Sequence, residues 1–251
     1  MNRKLWTGSF NPKRPPKYPC PTCATGILTL INNTTHVEEP AYSKSEYSHD
    51  AWDPDWITER ISMVLKCNDV DCGEVVTLAG DTSVLELYGE GPDAYEISYT
   101  TAVRPKSIYP APPLIAVSED LPDEVLVPLK KAFGLFWIDP GAAASRIRVS
   151  LERVLDDKLV PTESINAQDE THVLDLNGRI QVFEKTNPDE GQTFHALRMV
   201  GNLGAHGEPV SSDRVLDALE LYEDALEKLY SDKDKKLKAI KEKILASKGK
   251  A

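Results

Sequence analysis

Two sets of residues have the types and spacing for chemistry. The first is four cysteines: Cys20 and Cys23 in "CPTCATG", and Cys67 and Cys72 in "CNDVDCG". A Cys-x2-Cys pair followed by a second pair offers four thiolates from two tight turns, the donor set of a tetrahedral structural zinc, Zn2+. Small residues after the second cysteine let backbone amides turn toward sulfur. The second pair departs from the common spacing, with four residues between its cysteines, and the insert between the pairs is long. Four cysteines leave no open coordination position, so this site is expected to fold its domain rather than catalyse. Free or oxidised thiols are the alternative. His36 and His49, in the insert, read as surface residues.

The second set lies in "HALRMVGNLGAHGEP", residues 195–209. On a helix, His195, Arg198, Asn202 and His206 share one narrow face. Leu197, Val200 and Gly204 lie opposite, with Gly201 beside them. Glycine in a helix interior costs roughly 1 kcal/mol against alanine. The glycines therefore mark a side where another helix, or another chain, approaches the backbone closely. The polar stripe suits phosphodiester chemistry. A histidine exchanges protons near neutral pH, an arginine matches a phosphate with a planar fork of donors, and an asparagine orients either partner. The plainer reading is a solvated helix face whose "GAHGEP" end is a helix C-terminus, with histidine, glycine and proline in their usual places. Arg148 and Glu152, four apart on an earlier helix, form an ordinary helix pair before they form part of a substrate site. His172 falls in an expected loop and carries no signal.

These residues need elements to hold them. The length allows one large domain or two modest ones. "GILTLINN", "ITERISMVLKC", "EVVTLAG" and "AYEISYTTAV" are rich in β-branched and aromatic residues and separated by turn formers, which predicts a β-rich unit over 20–103. A basic stretch, 1–19, reads as a flexible or loosely docked arm. The proline-rich stretch 104–122 predicts an extended connection. Beyond it the pattern is helical over 123–230. Pro128 is expected to kink or split the first helix. Ile147, Leu151, Val154 and Leu155 line one face of the next. "LNGRIQVFEK" reads as a shorter helix, and Val215, Leu216, Leu219, Tyr222, Leu226 and Leu229 form the stripe of the last long one. The lysine-rich tail, 231–251, extends that helix into solvent or frays.

The net charge of −11 disfavours a global contact with a polyanion, so any nucleic-acid contact must be local. No apolar run is long enough to span a bilayer, and the N-terminus lacks an apolar signal core, which predicts a cytoplasmic protein without a membrane partner. In a reducing compartment cysteines serve metals more often than disulfides.

The order of "IYPAPP", "LPDEVLVPLKKAF", "AAASRIRVSLERVL" and "LRMVGNLGAH" resembles the family described as domain of unknown function 4145. The similarity spans roughly residues 105–230, and "GNLGAH" at its distance from "RVSLE" is its specific part. That family is placed in the higher-eukaryote and prokaryote nucleotide-binding (HEPN) superfamily. The resemblance implies an α+β protein, a zinc-ribbon-like β domain followed by an all-α HEPN-like bundle of four or five helices, often a homodimer. It also implies a metal-independent RNA endonuclease that leaves 2′,3′-cyclic phosphate ends, in a phage-defence or toxin-like role. The superfamily motif is an arginine, often an asparagine next, then a histidine. Asn202 and His206 match it. Gly201 stands in the arginine slot, with Arg198 one turn upstream on the same face. The loss of that arginine leads to the other expectation, a non-catalytic dimeric adaptor that binds nucleic acid, or a protein partner through the zinc domain.

Overall fold

The structure, a computed structural model, describes residues 1–88, 97–165, 169–231 and 233–246. Part of the predicted strand "AYEISYTTAV", residues 94–96, and the end of the tail, 247–251, lie outside the described residues.

Strands β1 (Leu28–Leu30), β2 (His36–Glu38), β3 (Arg60–Cys67), β4 (Val75–Tyr88) and β5 (Ile97–Tyr109) form one antiparallel sheet in the order β1-β3-β4-β5. β1 pairs with the Cys67 end of β3, and β2 with its Arg60 end. β3 shows the physics most plainly. Ile61, Met63, Leu65 and Cys67 are buried, and Arg60, Ser62 and Lys66 are exposed, the period-two pattern of a half-buried strand. The long insert between the cysteine pairs holds β2 and a short helix, α1 (Ala41–Ser45).

The helices follow: α2 (Asp123–Leu135), α3 (Pro140–Asp157), α4 (Leu176–Glu184), α5 (Pro188–Ala205), α6 (Ser212–Tyr230) and α7 (Lys233–Ala246). Between α3 and α4 a small hairpin pairs β6 (Glu163–Ile165) with β7 (Thr171–Val173), so His172 lies on a strand rather than in a loop. α3 is the hub, in contact with α2, α4, α5 and α6. Asp139 caps it by accepting from the Ala142 amide at 2.8 Å, and Pro140 fills its first turn. Its face of Ala143, Ala144, Ile147, Leu151, Val154 and Leu155 is buried, as the spacing predicts. On α6, Val215, Leu216, Leu219, Tyr222 and Leu226 are buried and Leu229 is half-buried. α2 runs unbroken through Pro128. Burial of Val125, Leu129, Ala132 and Phe133 along one side holds the helix together across the missing amide donor.

Three stretches differ from the expectation. Residues 1–19 are not loosely docked. Trp6 and Tyr18 are buried and stack with centroids 5.6 Å apart, and Trp137, just after α2, meets both edge-on. Phe10 forms a bridge with Val103 of β5, and Arg3 reaches Asp217 and Glu220 on α6 at 2.7 and 2.6 Å. The basic composition concealed the three aromatic anchors. The proline-rich stretch is not a free connection either. Residues 104–109 complete β5, and Leu114, Ile115 and Leu121 are buried. The lysine-rich tail continues as a helix, α7, after an extended break at Ser231. Sheet and helices thereby share one continuous core running from Trp6 and Leu28 through Ile108 and Phe136 to Leu226.

Candidate functional site

Cys20 and Cys23 sit on the turn that precedes β1; Cys67 ends β3 and Cys72 lies in the turn before β4. The β1–β3 pairing, with Leu28 opposite Cys67, brings the two turns together. All four sulfurs lie within 4.8 Å of one another, with Cys20–Cys72 at 3.7 Å and Cys23–Cys67 at 3.8 Å. A tetrahedron with metal–sulfur bonds of about 2.3 Å has edges of about 3.8 Å, so the spacing fits a metal ion. No disulfide joins them. His36 and His49 are exposed and lie outside the group.

The backbone turns toward the sulfurs. The Thr22 amide donates to Cys20 at 3.4 Å and the Gly26 amide to Cys23 at 3.3 Å. Gly26 is required at its position, because a Cβ there would run into the Cys67 sulfur. Hydrogen bonds from Thr25 and from the Gly26 amide bring the Cys23 thiol down to about 6. Burial pushes Cys67 up to about 12. The small residues after Cys23 were the sequence signal for this; the roles of Thr22 and Thr25 had none.

The second candidate set lies along α5. The glycine side meets α3 of the same chain. A Cβ on Gly201 would stand 2.6 Å from the Arg148 Cβ and 3.2 Å from the Ala144 carbonyl oxygen, and one on Gly204 would strike the Gly141 backbone. The two helices run antiparallel there, Gly204 over Gly141 and Gly201 over Arg148. This contact places Arg148 against Gly201. Arg148 pairs with Glu152 at 3.5 Å, one turn on along α3. Arg148 and Arg198 each keep a buried Nε with no hydrogen-bond partner among the described residues. Asn202 is half-buried. His195 is half-buried and lies 3.5 Å from Glu184 of α4. His206 is exposed at the C-terminal end of α5, followed by Gly207 at φ +74°. That is the helix end expected from "GAHGEP".

Two clefts of about 770 and 760 Å³ flank these centres. The first lies where the start of α3 meets the end of α5 and is lined by Asp139, Ser145, Arg146, Ala205 and Glu208. The second lies between the Cys20–Cys23 turn and α2. Neither is lined by His195, Arg198, Asn202 or His206. No helix of the described residues is long and apolar enough to cross a membrane.

Two family models match the chain. A domain of unknown function (DUF8608) matches residues 8–108, from the docked N-terminal segment to the end of β5. A second domain of unknown function (DUF4145), the family that "GNLGAH" and its neighbours resemble, matches residues 130–243, from α2 into α7. Comparison with curated proteins and with solved structures returns no match.

Proposed function

We propose that the protein is a cytoplasmic, zinc-stabilised RNA-binding module whose helical half is a HEPN-like bundle that has lost the cleaving arrangement, and that it acts as a homodimeric adaptor. One observation carries the reading. The arginine slot of the superfamily motif is Gly201, and α3 packs so closely on it that no side chain fits. The neighbouring cations remain. Arg148 of α3 lies against Gly201 and pairs with Glu152, and Arg198 stands one turn before Asn202, each with an Nε that has no hydrogen-bond partner among the described residues. Guanidinium groups in a half-buried setting match phosphate oxygens in pairs. Zinc is the metal because four thiolates at tetrahedral spacing suit a soft-tolerant ion without redox demands.

A second reading is favoured by the same Arg148 placement, which returns a guanidinium to the neighbourhood of the vacated slot. There the protein is a metal-independent endoribonuclease in a phage-defence or toxin-like role. The ribose 2′-oxygen attacks phosphorus while its proton passes to an imidazole. The bond to the 5′-oxygen breaks, that oxygen takes a proton, and a 2′,3′-cyclic phosphate remains. His206 or His195 holds the protons, Arg148 or Arg198 the phosphate, and Glu152 positions Arg148.

One experiment separates the two. Purified, zinc-loaded protein is incubated with a mixed single-stranded and structured RNA pool with no other divalent metal added, beside His206→Ala and Arg148→Ala/Arg198→Ala variants. The binding reading expects retarded but intact RNA, lost in the double arginine variant and kept in His206→Ala. Cleavage with cyclic phosphate ends that vanishes in His206→Ala would replace it by the nuclease reading. Absence of both retention and cleavage would refute both.

A further inference from the structure

The cleft of about 760 Å³ between the cysteine turn and α2 is unrelated to the α5 stripe, and its use does not depend on whether the helical half binds or cuts RNA. It has three walls. Residues 21–24 of the cysteine turn form one, the segment from Tyr109 to Glu119 forms the second, and α2 forms the third. Its volume falls in the range of ligand-binding clefts. Part of the lining is apolar and exposed: Val127 of α2 is 48 % exposed and Tyr109 at the end of β5 is 74 % exposed, and Pro110 and Leu126 line the same cleft. An exposed tyrosine is a residue type enriched at the centre of protein interfaces.

The charges around this apolar strip are arranged unevenly. Lys130 and Lys131, both on α2, are exposed and form no ion pair among the described residues. The two carboxylates lie off α2, Glu119 in the segment from Tyr109 to Glu119 and Glu74 just before β4. Glu74 is held by the Thr22 hydroxyl, and Glu119 is exposed. A sugar-phosphate chain carries a charge on every unit and would set several of them against Glu74 and Glu119. A peptide carries its charges only on chosen side chains. A carboxylate side chain faces the lysines, an apolar side chain covers Tyr109 and Val127, and backbone N–H groups face Glu119.

We propose that this groove binds an extended segment of another protein that carries an apolar residue next to acidic ones. The cysteine turn supplies one wall, which gives the metal centre a role in shaping a recognition surface as well as in holding the sheet.

The test uses the full chain and a fluorescein-labelled ten-residue peptide with a leucine–phenylalanine pair followed by two aspartates. Controls are the same peptide with lysines for the aspartates, and with serines for the apolar pair. Fluorescence anisotropy is expected to show saturable binding of the first peptide only. Lys130→Glu/Lys131→Glu should weaken it about tenfold, the sum of two exposed charge contacts. Val127→Asp should weaken it at least as much, whereas Lys44→Glu, outside the groove, should not. Val127, Lys130 and Lys131 are exposed, so thermal midpoints equal to wild type are expected for all variants. The proposal is overturned if the acidic peptide does not bind, if the lysine peptide binds equally, if binding survives both groove variants, or if labelled oligouridine displaces the peptide from the wild-type protein.

Discussion

Replacing Gly204 with alanine sets two local effects against each other, and the structure decides between them. Removing a glycine from a helix gains up to about 1 kcal/mol. The gain is smaller here because position 204 lies in the last turn of α5. Against it stands the new methyl group. It would lie 2.8 Å from the Gly141 carbonyl carbon and 3.1 Å from the Gly141 Cα, and would strike the carbonyl oxygen. These are backbone atoms of the first turn of α3, fixed by the Asp139 cap, so they cannot swing aside as a side-chain end would. Overpacking of this kind costs about 1–3 kcal/mol. The balance is a loss of about 1–2 kcal/mol, or about 2–8 °C in Tm for a chain of this size. Gly201→Ala should lose stability too, because the Arg148 Cβ at 2.6 Å is fixed to the α3 backbone and the Ala144 carbonyl oxygen stands at 3.2 Å. Urea and thermal denaturation followed by circular dichroism measure both. A Gly204→Ala protein more stable than wild type would show that helix propensity rules the position, and the close crossing of α3 and α5 would be refuted.

In protein stripped of metal but still folded, Cys23 should be alkylated by iodoacetamide first and Cys67 last. Hydrogen bonding holds the Cys23 thiol down to about 6, so its thiolate persists at pH 7 and its reaction slows only as pH falls through that value. Burial holds Cys67 up to about 12, so it stays a thiol until strongly alkaline pH. Peptide mass spectrometry after timed quenching reads the order, and the reverse order would contradict the hydrogen bonds drawn from Thr25 and Gly26. Trp6→Ala should cost about 3–5 kcal/mol, the loss of a buried aromatic anchor. A Tm within 2 °C of wild type, an estimate scaled from the size dependence of melting, would return residues 1–19 to the status of a loose arm.

The sequence was most legible where one physical signal acted alone. The β-branched content of "ITERISMVLKC" predicts β3, and the spacing of Ile147, Leu151, Val154 and Leu155 predicts the buried face of α3, because burial on one side is all that those segments must satisfy. The four cysteines announced their cluster through residue type and spacing. The glycines at 201 and 204 predicted a close helix contact, but not that α3 would make it, since the partner of a contact is a tertiary fact. The docked N-terminal segment was hidden for the same reason. Trp6, Phe10 and Tyr18 follow no period, and their burial depends on Trp137 and Val103, far along the chain. The groove beside the cysteine turn left no trace, because its walls come from three separate stretches and its lysines look like any solvated helix face.

The stacked Trp6 and Tyr18 against Trp137 bear on how this chain can be divided. Two family matches, 8–108 and 130–243, invite treatment as interchangeable parts. Yet the first part keeps its opening segment in place with an indole borrowed from the second, and Arg3 is anchored on α6. Cut at residue 110, each piece would present a raw aromatic seam to water. Any rearrangement that set the sheet beside a different helical neighbour would have to supply a substitute for Trp137.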